Sequence, residues 1–210
     1  KSGQGRGWKI GMVWIVWAET ALLTNGCLKW LMKNDKNCKL YLGKKEKILI
    51  VGGSAACALW IGCFLEHWGG AGQLACGVLA AYLLIASITD LQTCEVYDFL
   101  AIVAGSIGLL MLFAGGIFGT RLFSLILFGL IQLFLFMKMY GRADGWAFLV
   151  CAVYESRFGK GMLTYLLHMA SAFLVLAVIQ GLNRNIARNG NLKKPVPFLP
   201  YIAVTVWGFL

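Results

Sequence analysis

The chain has 210 residues, 60% of them hydrophobic and 13% charged, with a net charge of +10. A soluble domain is nearer half apolar and a quarter charged, so the composition excludes an ordinary soluble globule and points to an integral membrane protein. The basic excess is split among short loops and builds no basic domain, which argues against nucleic acid as a partner.

In chain order, Trp8–Leu23 comes first. Lys9 and Glu19 interrupt it and its tryptophans suit an interface, so a span and an interfacial helix are equally open. A lysine-rich loop with Cys27 and Cys38 follows. The seven cysteines contain no C-x-x-C pair, so neither a zinc site nor a disulfide framework is expected. Crossing a bilayer takes about 20 apolar residues. Ile48–Leu65, Ala71–Thr89, Phe99–Phe118, Leu122–Met139 and Met162–Gly181 meet that need, and Gly145–Tyr154 and Val196–Leu210 are shorter candidates. Backbone polar groups in lipid must be satisfied within the segment, so the spans are helices. The expected fold is an all-α transmembrane bundle of about six to eight helices. Residues 1–47 form an N-terminal segment and basic loop, and 48–210 one membrane-embedded domain.

If Ile48–Leu65 runs outward, the inner loops receive thirteen basic residues, among them Lys29, Lys47, Lys138, Arg142, Arg184 and Lys194. The outer side receives Arg121, Arg157 and Lys160. This bias places the basic loops in the cytoplasm. It requires Gly145–Tyr154 to cross, and it puts Asp90 and Asp144 at helix ends on one membrane face.

The nine acids sort by position. Asp35 and Glu46 sit among lysines as solvated charges. Glu66 and Glu155 fall at outer loops. Asp90, Glu95, Asp98 and Asp144 remain as an inner cluster. Acids close to hydrocarbon are functional candidates, although a charge marking a helix end is the plainer alternative. Gly141 and Ala143 flank Asp144, and small residues let a peptide or helix approach closely. Two neighbouring carboxylates share a proton. One then takes a proton from water while the other polarises a carbonyl, with the roles belonging to the pair. His168, in an apolar run without an acid at i±4, reads as a packed histidine; His67 lies in a short outer loop. Gly52, Gly53, Ala56, Gly105, Gly115 and Gly116 read as helix-contact positions. The run Arg184 to Lys194 reads as a solvated inner loop.

Three stretches resemble the type IV prepilin and preflagellin peptidases, a family of membrane aspartyl proteases. D-L-Q-T-C-E-V-Y-D, Asp90 to Asp98, is similar to the family's aspartate, short loop and I-P-N triplet. G-R-A-D, Gly141 to Asp144, is similar to its G-x-G-D motif. K-K-P-V-P-F-L-P-Y, Lys193 to Tyr201, resembles the proline-rich entry to its last helix. The likeness spans about Ile48 to Leu210. Val96-Tyr97-Asp98 departs from I-P-N, Ala143 replaces the second glycine, Trp146 and Ala147 stand where a lysine is common, and the N-terminal insert with two C-x-x-C pairs is absent. The resemblance implies cleavage of a basic leader from a prepilin-like hydrophobic helix at the cytoplasmic face of the cell membrane. Asp90 and Asp144 are then the catalytic pair, Gly141, Ala143, Glu95 and Asp98 meet substrate, and no metal or other cofactor takes part. N-methylation, associated with the longer form, is not assigned. A proton-coupled transporter using the same acids and an inactive pilin-binding relative are the alternatives.

Overall fold

The computed structural model describes residues 4–35, 39–64, 69–116, 119–135, 138–186 and 196–210. Glu66, His67, Cys38, and Lys193 and Lys194 of the third motif lie outside them, as does the basic run from Arg188 onward. Every described element is helical: α1 Gln4–Asn34, α2 Lys44–Phe64, α3 Gly69–Thr93, α4 Asp98–Ala114, α5 Thr120–Phe134, α6 Arg142–Arg157, α7 Met162–Ile186 and α8 Leu199–Thr205, which ends in a 3-10 turn at Val206–Gly208. The expected helical bundle is therefore found. Among the described residues, Lys44–Phe64, Gly69–Thr93 and Met162–Leu182 are long and apolar enough to cross a membrane. The surface carries exposed large apolar side chains such as Leu59, Ile102, Leu110, Phe123 and Leu174. In water such patches would aggregate, and the chain is a membrane protein.

α3 is the central helix. Nearly all its side chains from Ala75 to Asp90 are buried, and it packs against α1, α2, α4, α6 and α8. Leu79, Leu83, Phe128, Phe148, Leu199 and Ile202 belong to one core, which also includes Leu28 and Leu31 of α1.

α1 is longer than either alternative for its first stretch: one helix of 31 residues, about 46 Å at 1.5 Å per residue. Glu19 does not break it because its side chain turns toward α3. A Cβ on Gly77 would lie 2.6 Å from Glu19 Oε2, and Thr20 Oγ1 donates to the Gly77 carbonyl at 3.3 Å. The missing side chain at Gly77 is what makes room for the carboxylate.

Hydrogen bonds gather five segments at one end of the bundle. The Gln92 side chain brackets the Tyr41 backbone, with both contacts at 2.9 Å. Tyr97 donates to Asp35 Oδ2 at 2.7 Å, Arg142 pairs with Asp98, and the start of α8 bonds to Asp90. The loop after α1, the end of α3 and the starts of α4, α6 and α8 are thus held together.

Candidate functional site

α3 delivers Asp90 three residues before its last, Thr93. The helix stops because Cys94 adopts a left-handed conformation, φ 53°, and its amide bonds back to the Asp90 carbonyl at 3.0 Å. Glycine usually fills this position. Asp90 is buried, and its Oδ2 accepts the Leu199 N–H at 3.0 Å. The Phe198 amide also acts on it. One carboxylate thereby fixes the entry of the last helix, where the proline-rich stretch leads.

α6 delivers Asp144 in its first turn. Gly141 caps that helix in extended conformation. A Cβ there would meet Asp144 Oδ2 at 3.0 Å, so the carboxylate folds back over a residue with no side chain. Asp90, Cys94, Gly141, Ala143 and Asp144 line one cavity of about 480 Å³, and the Asp144 carboxyl feels the charge of Asp90. The two acids, far apart in sequence, face a common space.

The other wall is aromatic. Tyr140 and Phe173 lie 5.4 Å apart between ring centres, and Phe173 and Phe198 4.7 Å; all three line the cavity. Tyr140 donates to Gln132 Oε1, and Gln132 reaches Met169 Sδ at 3.5 Å. Burial pushes the Tyr140 phenol above its ordinary range; the Gln132 bond opposes this and the Asp144 charge adds to it. Tyr140 is therefore a neutral hydrogen-bonding group at any physiological pH.

Glu95 and Asp98 are exposed and stand outside the cavity lining. Asp98 opens α4, where an acid suits the helix dipole, and it pairs with Arg142 at 2.5 Å. Arg142 itself lines the cavity. Sequence reasoning does not single out Arg142, Tyr140, Phe173, Phe198 or Cys94. Arg142, Cys94 and Phe198 do carry a legible signal, their places inside the G-R-A-D, D-L-Q-T-C-E-V-Y-D and K-K-P-V-P-F-L-P-Y stretches.

A second groove, of about 390 Å³, runs between α2, α3 and α8. Gly53, Ala56, Ala80 and Ala203 are among the residues that line it, as are Leu91 and Pro200. These two residues adjoin Asp90 and Leu199 in sequence, so an apolar trough ends beside the buried carboxylate.

Glu155 is not the outer-loop charge expected. It lies on α6, fully buried, with His168 Nδ1 of α7 at 2.6 Å from its Oε1. The sequence predicts a packed His168 but not its acid partner, because the acid sits 13 positions away on another helix. Glu155 Oε2 and His168 Nε2 are buried without hydrogen-bond partners among the described residues.

Of the glycines expected at helix contacts, Gly53 and Gly105 touch Leu84 and Val150, and Gly115 lies against Arg157. Gly52 and Gly116 face open space; for Gly116 a φ of +64° is the evident demand on the residue. The tightest α4–α6 approach is instead at Gly108, where a Cβ would meet Tyr154 at 2.7 Å and Val153 at 2.9 Å.

No family model, no curated protein and no solved structure matches the chain.

Proposed function

We propose that the chain is a multi-pass aspartic endopeptidase of the cell membrane that removes the basic leader from a prepilin-like hydrophobic helix at the cytoplasmic face. One observation carries this: Asp90 and Asp144, from separate helices, line a single cavity beside an apolar trough of helix-accepting small residues. The substrate helix lies in that trough, and its leader junction enters the Asp90–Asp144 cavity. The ionised member of the pair takes a proton from water, and the water oxygen attacks the scissile carbonyl carbon. The protonated member donates to the carbonyl oxygen. Collapse of the tetrahedral adduct breaks the C–N bond, and the pair returns a proton to the leaving amine. The Leu199 N–H orients the Asp90 carboxylate throughout.

Cleavage of a leader-bearing, prepilin-like substrate by Asp90→Asn and Asp144→Asn variants tests this. Each is expected to lose about 10³-fold in rate while still inserting in the membrane. Persistent cleavage by both variants sinks the peptidase reading.

The buried Glu155–His168 pair favours a second reading, a proton-coupled transporter, since ionisable pairs inside membrane bundles serve proton relays. Proton uptake into proteoliposomes that is lost in Glu155→Gln, together with absence of leader cleavage, would favour it over the peptidase.

A further inference from the structure

We propose that a groove between α1 and α2 is a binding site for an anionic phospholipid. The groove, of about 340 Å³, is lined by Lys29, Asn25, Leu22 and Ala21 of α1 and by Lys47, Ile50 and Val51 of α2. Its chemistry is graded along both helices. On α1, Lys29, Asn25 and Leu22 fall at spacings of four and three, which stack on one face. On α2 the same order appears as Lys47, then Ile50 and Val51. The helices are joined by the short segment between Asn34 and Lys44, so both lysines lie at the joined end and both apolar sets lie deeper.

Two lysines, one from each helix, therefore line the same end of a largely apolar groove. With α2 across the bilayer, Lys47 in its first turn stands at headgroup depth. Both lysines are exposed, and among the described residues no carboxylate pairs with either. A phosphodiester supplies the missing negative charge, the half-buried Asn25 amide can donate to a phosphate or glycerol oxygen, and an acyl chain covers the exposed Leu22 and Val51. A soluble phosphate would satisfy the lysines but leave those side chains uncovered, so the occupant is a lipid. Lysines near a membrane surface interact favourably with anionic lipid. The site is independent of the Asp90–Asp144 cavity and of any peptidase activity.

Native mass spectrometry of the full chain in detergent, titrated with phosphatidylglycerol, phosphatidylcholine or inorganic phosphate, tests this. Phosphatidylglycerol is expected to bind in preference to phosphatidylcholine. Lys29→Gln with Lys47→Gln should weaken that binding about 30-fold, and each single change about 5-fold. A control pair, Lys44→Gln with Lys45→Gln, removes the same charge from residues outside the groove and should leave binding nearly unchanged. Equal binding of phosphatidylcholine, equal loss in both double variants, full retention in the Lys29/Lys47 variant, or displacement by inorganic phosphate at matching concentration each overturns the proposal.

Discussion

At Gly141 the missing side chain is occupied by a neighbour's carboxylate. Asp144 Oδ2 sits 3.0 Å from where a Cβ would stand, and the α6 turn holding both is pinned by the Gly145 amide on the Gly141 carbonyl at 3.1 Å. Gly141→Ala must push Asp144 out of its position in the cavity. A shift of about 1 Å in a reacting group costs about 10²-fold in rate, so leader cleavage should fall by that order while the melting temperature stays near wild type. Asp98 makes a different prediction. Its charge is paired with Arg142, whereas no ion pair to Glu95 is found among the described residues. Glu95→Gln should therefore weaken cleavage of a basic leader more than of a neutral one. Asp98→Asn should have a larger differential effect, because it also frees the Arg142 guanidinium at the cavity wall to repel the leader. Equal losses on basic and neutral leaders, compared by kcat/KM, would remove both acids from substrate recognition. Motif pattern made Gly141 and Asp144 legible. The partner of Asp98 was not, because Arg142 is 44 positions away and only folding brings the two helix starts together.

Helix against helix, α4 and α6 meet where Gly108 faces Tyr154. The tyrosine ring cannot retreat: it is buried and its hydroxyl donates to the Ala104 carbonyl of α4 at 3.2 Å. Gly108→Ala should therefore destabilise by about 1–3 kcal/mol through overpacking. Gly52→Ala, facing open space, should change stability by no more than about 0.5 kcal/mol. Thermal unfolding of both variants in one detergent checks the contrast, and equal shifts would contradict the packing assigned to Gly108. Composition marks glycines as contact candidates but does not say which ones touch. On helices apolar all round, no periodic stripe points to the buried face, so Gly52 and Gly108 look alike until neighbours are known. The same ambiguity hid the direction of Glu19, which turns to α3 rather than lipid.

For the molecule as a whole, the trough between α2, α3 and α8 is the proposed entry for a hydrophobic substrate. Ala56 lines it and is exposed, so Ala56→Trp fills it without disturbing the core. The expected outcome is a raised KM for membrane-anchored substrate, about 10-fold for a lost helix contact of roughly 1.4 kcal/mol, with kcat largely kept and a soluble leader peptide cleaved as before. Unchanged KM on the anchored substrate would remove the trough from the substrate path. The sequence by itself determined the helical membrane character of the chain and the placing of Asp90 and Asp144 at helix ends, since apolar run length and interruption by charge are local properties. Tertiary structure alone decided that Asp90 accepts the first amide of α8, that Arg142 answers Asp98, and that Glu155 is buried against His168. Each of these joins residues from different helices, and the side of a uniformly apolar helix that turns inward is chosen by the helices packed around it.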